Sequence, residues 1–136
     1  MMTDELPRAA AHEAAHCVTA LHFSLPLLEV FIFGSGGGRT RYARHFSYAE
    51  TACWAVTAFA GPLAERAVFG SAPTAGDDAV VARMLAVLNL NWTAVELAGH
   101  RHTAQPLVRR EQHAIMVLAD ELLRHRRLTG DDVAMI

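Results

Sequence analysis

The residue pattern predicts a mainly α-helical domain with a small β-hairpin beside its first helix. Three observations lead there. Apolar and Ala-rich runs recur at helical spacing, as in Arg8 to Leu21, which contains neither Gly nor Pro. One short, branched and aromatic stretch, Leu27 to Phe33, stands apart as a strand. Four glycines crowd the five residues Gly34 to Gly38, enough for a turn leading into a second strand.

The first helix is expected from about Asp4 to Phe23. Asp4 and Glu5 suit a helix start, Pro7 suits the first turn, and Pro26 ends the run. Leu27–Phe33 and Arg39–Ala43 then form the hairpin, whose free edge can pair with an extended peptide. Ser47 with Glu50 reads as a capping box opening a helix from Tyr48 to Ala60. Gly61-Pro62 should bend or break that helix, because proline lacks the amide donor. A further piece, Leu63 to Phe69, stops at Gly70. After a loop over 71–76, a long helix is expected from Asp77 or Asp78 to about Gly99, burying Val80, Met84, Leu88 and Val95. His100 to Pro106 reads as a break and Leu107 to Arg126 as another helix, with Ile115, Leu118, Leu122 and Leu123 inward. A short helix over Thr129–Ile136 closes the chain. The 136 residues suit one domain, 1–136.

The totals exclude several classes. Net charge is −2 and the pI about 6.4, with no basic block, so nothing marks a nucleic-acid binder. The most apolar window, Ala79 to Ala98, carries Arg83, Asn89, Asn91 and Glu96, which argues against a membrane span. The acidic start Met-Met-Thr-Asp-Glu lacks the regions of a signal peptide, and Cys17 and Cys53 form no disulfide framework. A reducing cytoplasm is the expected setting. An apolar fraction of 52% and a mean hydropathy of +0.18 leave room for a homo-oligomer interface or an apolar groove.

The chemistry-bearing stretch is Ala11-His12-Glu13-Ala14-Ala15-His16. Residues four apart share a helix face one turn of about 5.4 Å apart. His12 and His16 can therefore bind one Zn²⁺, with Glu13 as general base on a zinc-bound water. The alanines around them point to an inward-facing pair. A catalytic zinc usually takes a third protein ligand. Glu29, Glu65, Asp77, Asp78 and several histidines all qualify. Cys17-Val18-Thr19-Ala20 follows His16, so there is no Gly-x-x-His extension supplying a third histidine.

Five segments in order resemble the protease domain of the FtsH family of AAA+ zinc metalloproteases. They are the His12–His16 run; the strand Val30–Phe33 with its Gly-rich turn; Ala60-Gly61-Pro62-Leu63-Ala64-Glu65-Arg66-Ala67-Val68-Phe69-Gly70, similar to Gly-Gly-Arg-x-Ala-Glu-Glu-x-x-Phe-Gly; Thr74-Ala75-Gly76-Asp77-Asp78-Ala79-Val80-Val81-Ala82, similar to Thr-Gly-Ala-x-Asn-Asp-Leu-x-x-Ala; and Leu128-Thr129-Gly130-Asp131-Asp132-Val133, similar to Leu-Asp-Gly-Glu-Glu-Val. The resemblance implies a helical peptidase domain with Asp78 as third zinc ligand and Asp77 in the Asn position. Glu65 matches a family carboxylate, read as a buried acid orienting a ligand or a turn.

The family's ATPase module, membrane anchor and Walker motifs do not occur in these residues. The expectation is thus a stand-alone domain acting on peptides or unfolded segments, unless a separate unfoldase or regulator delivers substrate. The alternative expectation is a non-catalytic, metal-bearing module that binds a protein or peptide. The intact Glu13 argues against that alternative, and the missing ATPase argues for it.

Overall fold

The computed structural model describes residues 5–44, 46–70 and 93–136. Its elements are α1 (Glu5–His22), β1 (Leu27–Ile32), β2 (Gly38–Tyr42), a 3₁₀ turn (Tyr48–Glu50), α2 (Thr51–Phe69), α3 (Ala94–Arg110), α4 (Gln112–His125), β3 (Arg127–Thr129) and α5 (Gly130–Met135). The mainly helical expectation holds.

Helix α1 is the hub, packing against α2, α4 and the sheet. Its alanines make this possible: Ala10, Ala11, Ala14 and Ala15 are fully buried, and side chains that small let neighbouring backbones approach closely. The core over α1 is filled by Val30, Ile115, Leu118 and Leu122, while Trp54, Phe59, Leu97 and Leu107 build a second cluster between α2 and α3. At the end of α1, Ser24 takes a left-handed φ of 58°, and Leu25 N–H donates to the Ala20 carbonyl at 2.8 Å, turning the chain into β1.

The hairpin is present, but it belongs to a three-stranded antiparallel sheet of order β2-β1-β3. Strand β3 was not foreseen, because three residues carry too little periodicity to read. Its register, Val30↔Leu128 and Phe31↔Arg127, is held from outside the strand. The buried carboxylate of Glu29 accepts from Arg127 Nε at 2.7 Å and from Arg41 Nη1 at 2.5 Å, so one acid ties all three strands. Arg127 is engaged on the sheet although its side chain stays exposed, and Arg124 and His125, exposed at the end of α4, pair with Glu121. At Gly130 an added Cβ would lie 2.0 Å from the Leu27 carbonyl oxygen, so β1 can cross there only over a glycine.

Three helix boundaries depart from expectation. Gly61-Pro62 does not end a helix: α2 runs unbroken from Thr51 to Phe69 and closes at Gly70, which has φ 81°. Proline costs a helix interior about 3 kcal/mol. Here Gly61 and Pro62 are themselves buried, and Trp54, Phe59, Ala60 and Ala64 bury the same helix on both sides of them, which offsets that cost. The stretch His100–Pro106 is likewise not a break but the body of α3, held by buried Ala104, Leu107 and Val108 around Pro106. The true interruption is Glu111, between α3 and α4.

The helix expected from Asp77 to Gly99 cannot run through Thr93. That residue is extended (φ −71°, ψ 164°) and caps α3: its hydroxyl accepts from Glu96 N–H while the Glu96 carboxylate accepts from Thr93 N–H at 2.9 Å. Val95, expected inside, is 81% exposed as a result. The rest of that expected helix, with Asp77, Asp78 and the loop before them, lies outside the described residues. Among the described residues no helix is long and apolar enough to cross a membrane.

Candidate metal centre

His12 and His16 fall on the α1 face turned toward α2, as four-residue spacing requires. Their ring centroids are 4.7 Å apart at an interplanar angle of 81°. Each ring is anchored through Nδ1 to α2. His12 Nδ1 lies 2.5 Å from Glu65 Oε1, and His16 Nδ1 lies 2.8 Å from the Thr57 carbonyl oxygen. Acceptors at both Nδ1 atoms make those nitrogens N–H donors, which puts each lone pair on Nε2. Metal-ligating histidines use this same arrangement, with a carboxylate or carbonyl holding the far nitrogen.

The site depends on a close approach of the two helices. A Cβ on Gly61 would sit 2.7 Å from His12 Nε2 and 2.8 Å from His16 Cε1, so only glycine leaves room for both rings. Pro62 contributes next door. It offers no N–H to the Ala58 carbonyl four residues back, loosening the helix ladder one residue beyond the Thr57 carbonyl that receives His16. The Glu65 carboxylate, itself buried, is shared: Arg8 Nη1 lies 3.9 Å from its second oxygen, and the Arg8 guanidinium also stacks over Phe69.

Glu13 is the third member. Its side chain is only 8% exposed, with Oε2 4.0 Å from His12 Nε2 and Oε1 accepting from the Thr40 hydroxyl at 2.8 Å. Ligand atoms of His12, Glu13 and His16 all lie within 4.8 Å of one another, and among the described residues this is the group able to hold a metal ion. Two imidazoles and a carboxylate are donor types that zinc takes. The two histidines alone are one protein ligand short of a usual catalytic site, and the Asp78 expected to supply the third lies outside the described residues. A cavity of about 510 Å³ opens beside the pair, lined by Arg8, His12, Glu13, Glu65 and the glycine turn. A second cavity of about 560 Å³ between α1, α4 and α5 is lined mainly by apolar residues such as Val18, Leu21 and Val117.

The electrostatics follow from burial. Desolvation, reinforced by His12, pulls the His16 imidazole down to about 3, so it is neutral at physiological pH. Desolvation pushes the Glu13 carboxyl up, against the opposing pull of His12 and the Thr40 hydrogen bond. Cys17, four residues on in α1, is held as a thiol by burial and by the Glu13 charge. The sign of the His16 effect on stability is definite. Above pH 6.5 both folded and unfolded chains carry it neutral; below, only the unfolded chain takes the proton. Metal-free protein should therefore lose stability, relative to a His16→Gln variant, as pH falls from 6.5 toward 3. The slope should approach about 1.4 kcal/mol per pH unit. Urea unfolding of both proteins at pH 7, 6 and 5 measures it, and parallel curves would remove this account of His16.

Of the expected site residues, His12, Glu13 and His16 come together, and Glu65 meets His12 at Nδ1. The Thr57 carbonyl, Thr40 and Gly61 were not foreseen in these roles. Nothing local in the sequence marks them, since each is defined by what another element brings beside it. Comparison with protein-family models finds no match for the chain, and comparison with curated proteins finds none either.

Proposed function

We propose that the chain is a zinc-dependent peptidase-like domain that hydrolyses peptide bonds in peptides or unfolded segments. The observation that carries this is Glu13: a carboxylate buried beside two imidazoles, with its charge opposed by burial and one oxygen held by a hydroxyl. A purely structural metal site has no use for a desolvated base at that position, whereas a general base works best with a pKa raised toward the operating pH.

In this reading His12 and His16 hold the metal through Nε2, and Asp78 supplies the third ligand, as the resemblance to FtsH-type proteases implies. Bound zinc contributes Lewis-acid polarisation of the scissile carbonyl and a lowered pKa for water. Glu13 accepts the proton of the attacking water at Oε2 and returns it to the leaving amine. Glu65 and the Thr57 carbonyl keep both imidazoles in the coordinating tautomer. Substrate binds as an extended segment along β2, whose outer edge pairs with no other strand among the described residues and whose Thr40 touches the base. A separate unfoldase would extend the range to folded substrates.

Purified protein should carry about one zinc per chain. It should cleave an unfolded casein-type substrate, lose that activity to a chelator, and regain it on adding zinc. Elemental analysis together with the cleavage assay decides the matter: a zinc-loaded chain that cleaves nothing leaves a binding module in its place.

A further inference from the structure

We propose that Thr40 is a positioning residue for the general base, coupling the strand that receives substrate to the carboxylate that activates water. The proposal rests on the peptidase reading above and adds a residue to it. Thr40 lies at the centre of β2, opposite the fully buried Val30, with the exposed Arg39 and Arg41 on either side of it in sequence. Strand alternation turns its side chain inward, the opposite way from those two. Its hydroxyl donates to Glu13 Oε1 at 2.8 Å, while Glu13 Oε2 is the oxygen on the His12 side, 4.0 Å from Nε2. A carboxylate tethered at one oxygen has a defined orientation for the other, and the untethered one is the oxygen that faces the reacting centre.

The strand is also drawn hard against the base. A Cβ on Gly38 would come 2.8 Å from Glu13 Cγ, so the β2 backbone passes the Glu13 stem with no room for a side chain. The tether is thus short and braced. An extended substrate added to the β2 edge would form hydrogen bonds along the same strand that carries Thr40. Binding there steadies β2 and, through one hydroxyl, the base.

The experiment compares Thr40→Val, which keeps shape and loses the hydroxyl, with Thr40→Ser, which keeps the hydroxyl. On zinc-loaded protein with an unfolded peptide substrate, Thr40→Val should lower kcat by about tenfold or more, with KM and zinc affinity within about twofold of wild type. Thr40→Ser should return kcat to within about threefold of wild type. A readout independent of turnover uses the metal-free protein. The Thr40 hydroxyl proton should be slow to exchange and show an NMR cross-peak to Glu13, and it should vanish in Glu13→Ala. Wild-type kcat in Thr40→Val, a Thr40→Ser variant as slow as Thr40→Val, or a fast-exchanging hydroxyl in the wild type would each overturn the proposal while leaving the peptidase reading intact. Zinc-loaded wild type without any hydrolysis overturns both. If Thr40→Val does not fold, the serine variant and the hydroxyl proton still decide.

Discussion

Replacing Glu13 with glutamine should abolish peptide hydrolysis while the protein keeps its zinc and its fold. General-base catalysis contributes roughly 10²- to 10⁴-fold, and glutamine cannot accept the proton, so kcat should fall by about that factor. The amide oxygen of glutamine can still accept the Thr40 hydrogen bond at the place of Oε1, so the local geometry survives. Stability should not fall. Burial raises the Glu13 carboxyl in the folded chain, which means the ionised form is less favourable there than in the unfolded chain. At pH 7 that ionisation works against folding, and a neutral glutamine removes the opposition. Steady-state kinetics, zinc titration and thermal unfolding of the two proteins test all three parts. Cleavage at the wild-type rate by Glu13→Gln would eliminate Glu13 as base. Zinc bound equally well by two proteins that are both inactive would favour the binding-module alternative.

Gly61→Ala should cost metal binding much more than it costs stability. In an ordinary helix, Gly to Ala gains about 1 kcal/mol. Gly61 has an unexceptional helical backbone, so that gain is available, but the new methyl would meet His12 Nε2 at 2.7 Å, His12 Cδ2 at 2.8 Å and His16 Cε1 at 2.8 Å. Neither ring can simply retreat. His12 is held to Glu65, His16 to the Thr57 carbonyl, and the alanines behind them are fully buried. Overpacking of this kind costs about 1–3 kcal/mol, so the net change in stability should be small and the rings should be displaced. Zinc affinity should then drop by about 10- to 100-fold, the range seen when the support of a metal-ligating histidine is disturbed. A competition titration against a chromophoric chelator measures the loss. Zinc bound by Gly61→Ala as tightly as by wild type would mean that the metal does not sit between these two rings.

The two variants probe opposite kinds of information. The hydrogen bond of Glu13 to Thr40 was not legible from the sequence, whereas its place beside His12 and His16 was, because helical geometry alone sets it. The same holds for α1 as a whole, where alanine content and the absence of Gly and Pro suffice. It also holds for the β1–β2 hairpin, marked by its branched and aromatic residues and glycine turn, and for the stop at Gly70. Local rules failed where burial outweighed them. Pro62 and Pro106 each signal a helix break, and each sits inside a helix because residues on both sides are buried against other elements. The Thr93–Glu96 capping box is present in the sequence, but the apolar window Ala79 to Ala98 spans it. Strand β3 is set by partners far off in sequence: it pairs with β1, and Arg127 donates to Glu29, 98 residues away.

The His-Glu-x-x-His helix thus came from the chain's own periodicity, since 3.6 residues per turn place positions 12 and 16 on one face whatever surrounds them. The partners that hold those histidines came from elsewhere in the chain. Glu65 lies 53 residues from His12, Thr57 lies 41 from His16 and Thr40 lies 27 from Glu13. Together they hold the two rings and orient the Glu13 carboxylate. Such contacts arise only when α2 and β2 pack on α1, and no spacing rule along a sequence encodes which acceptor will meet which ring nitrogen.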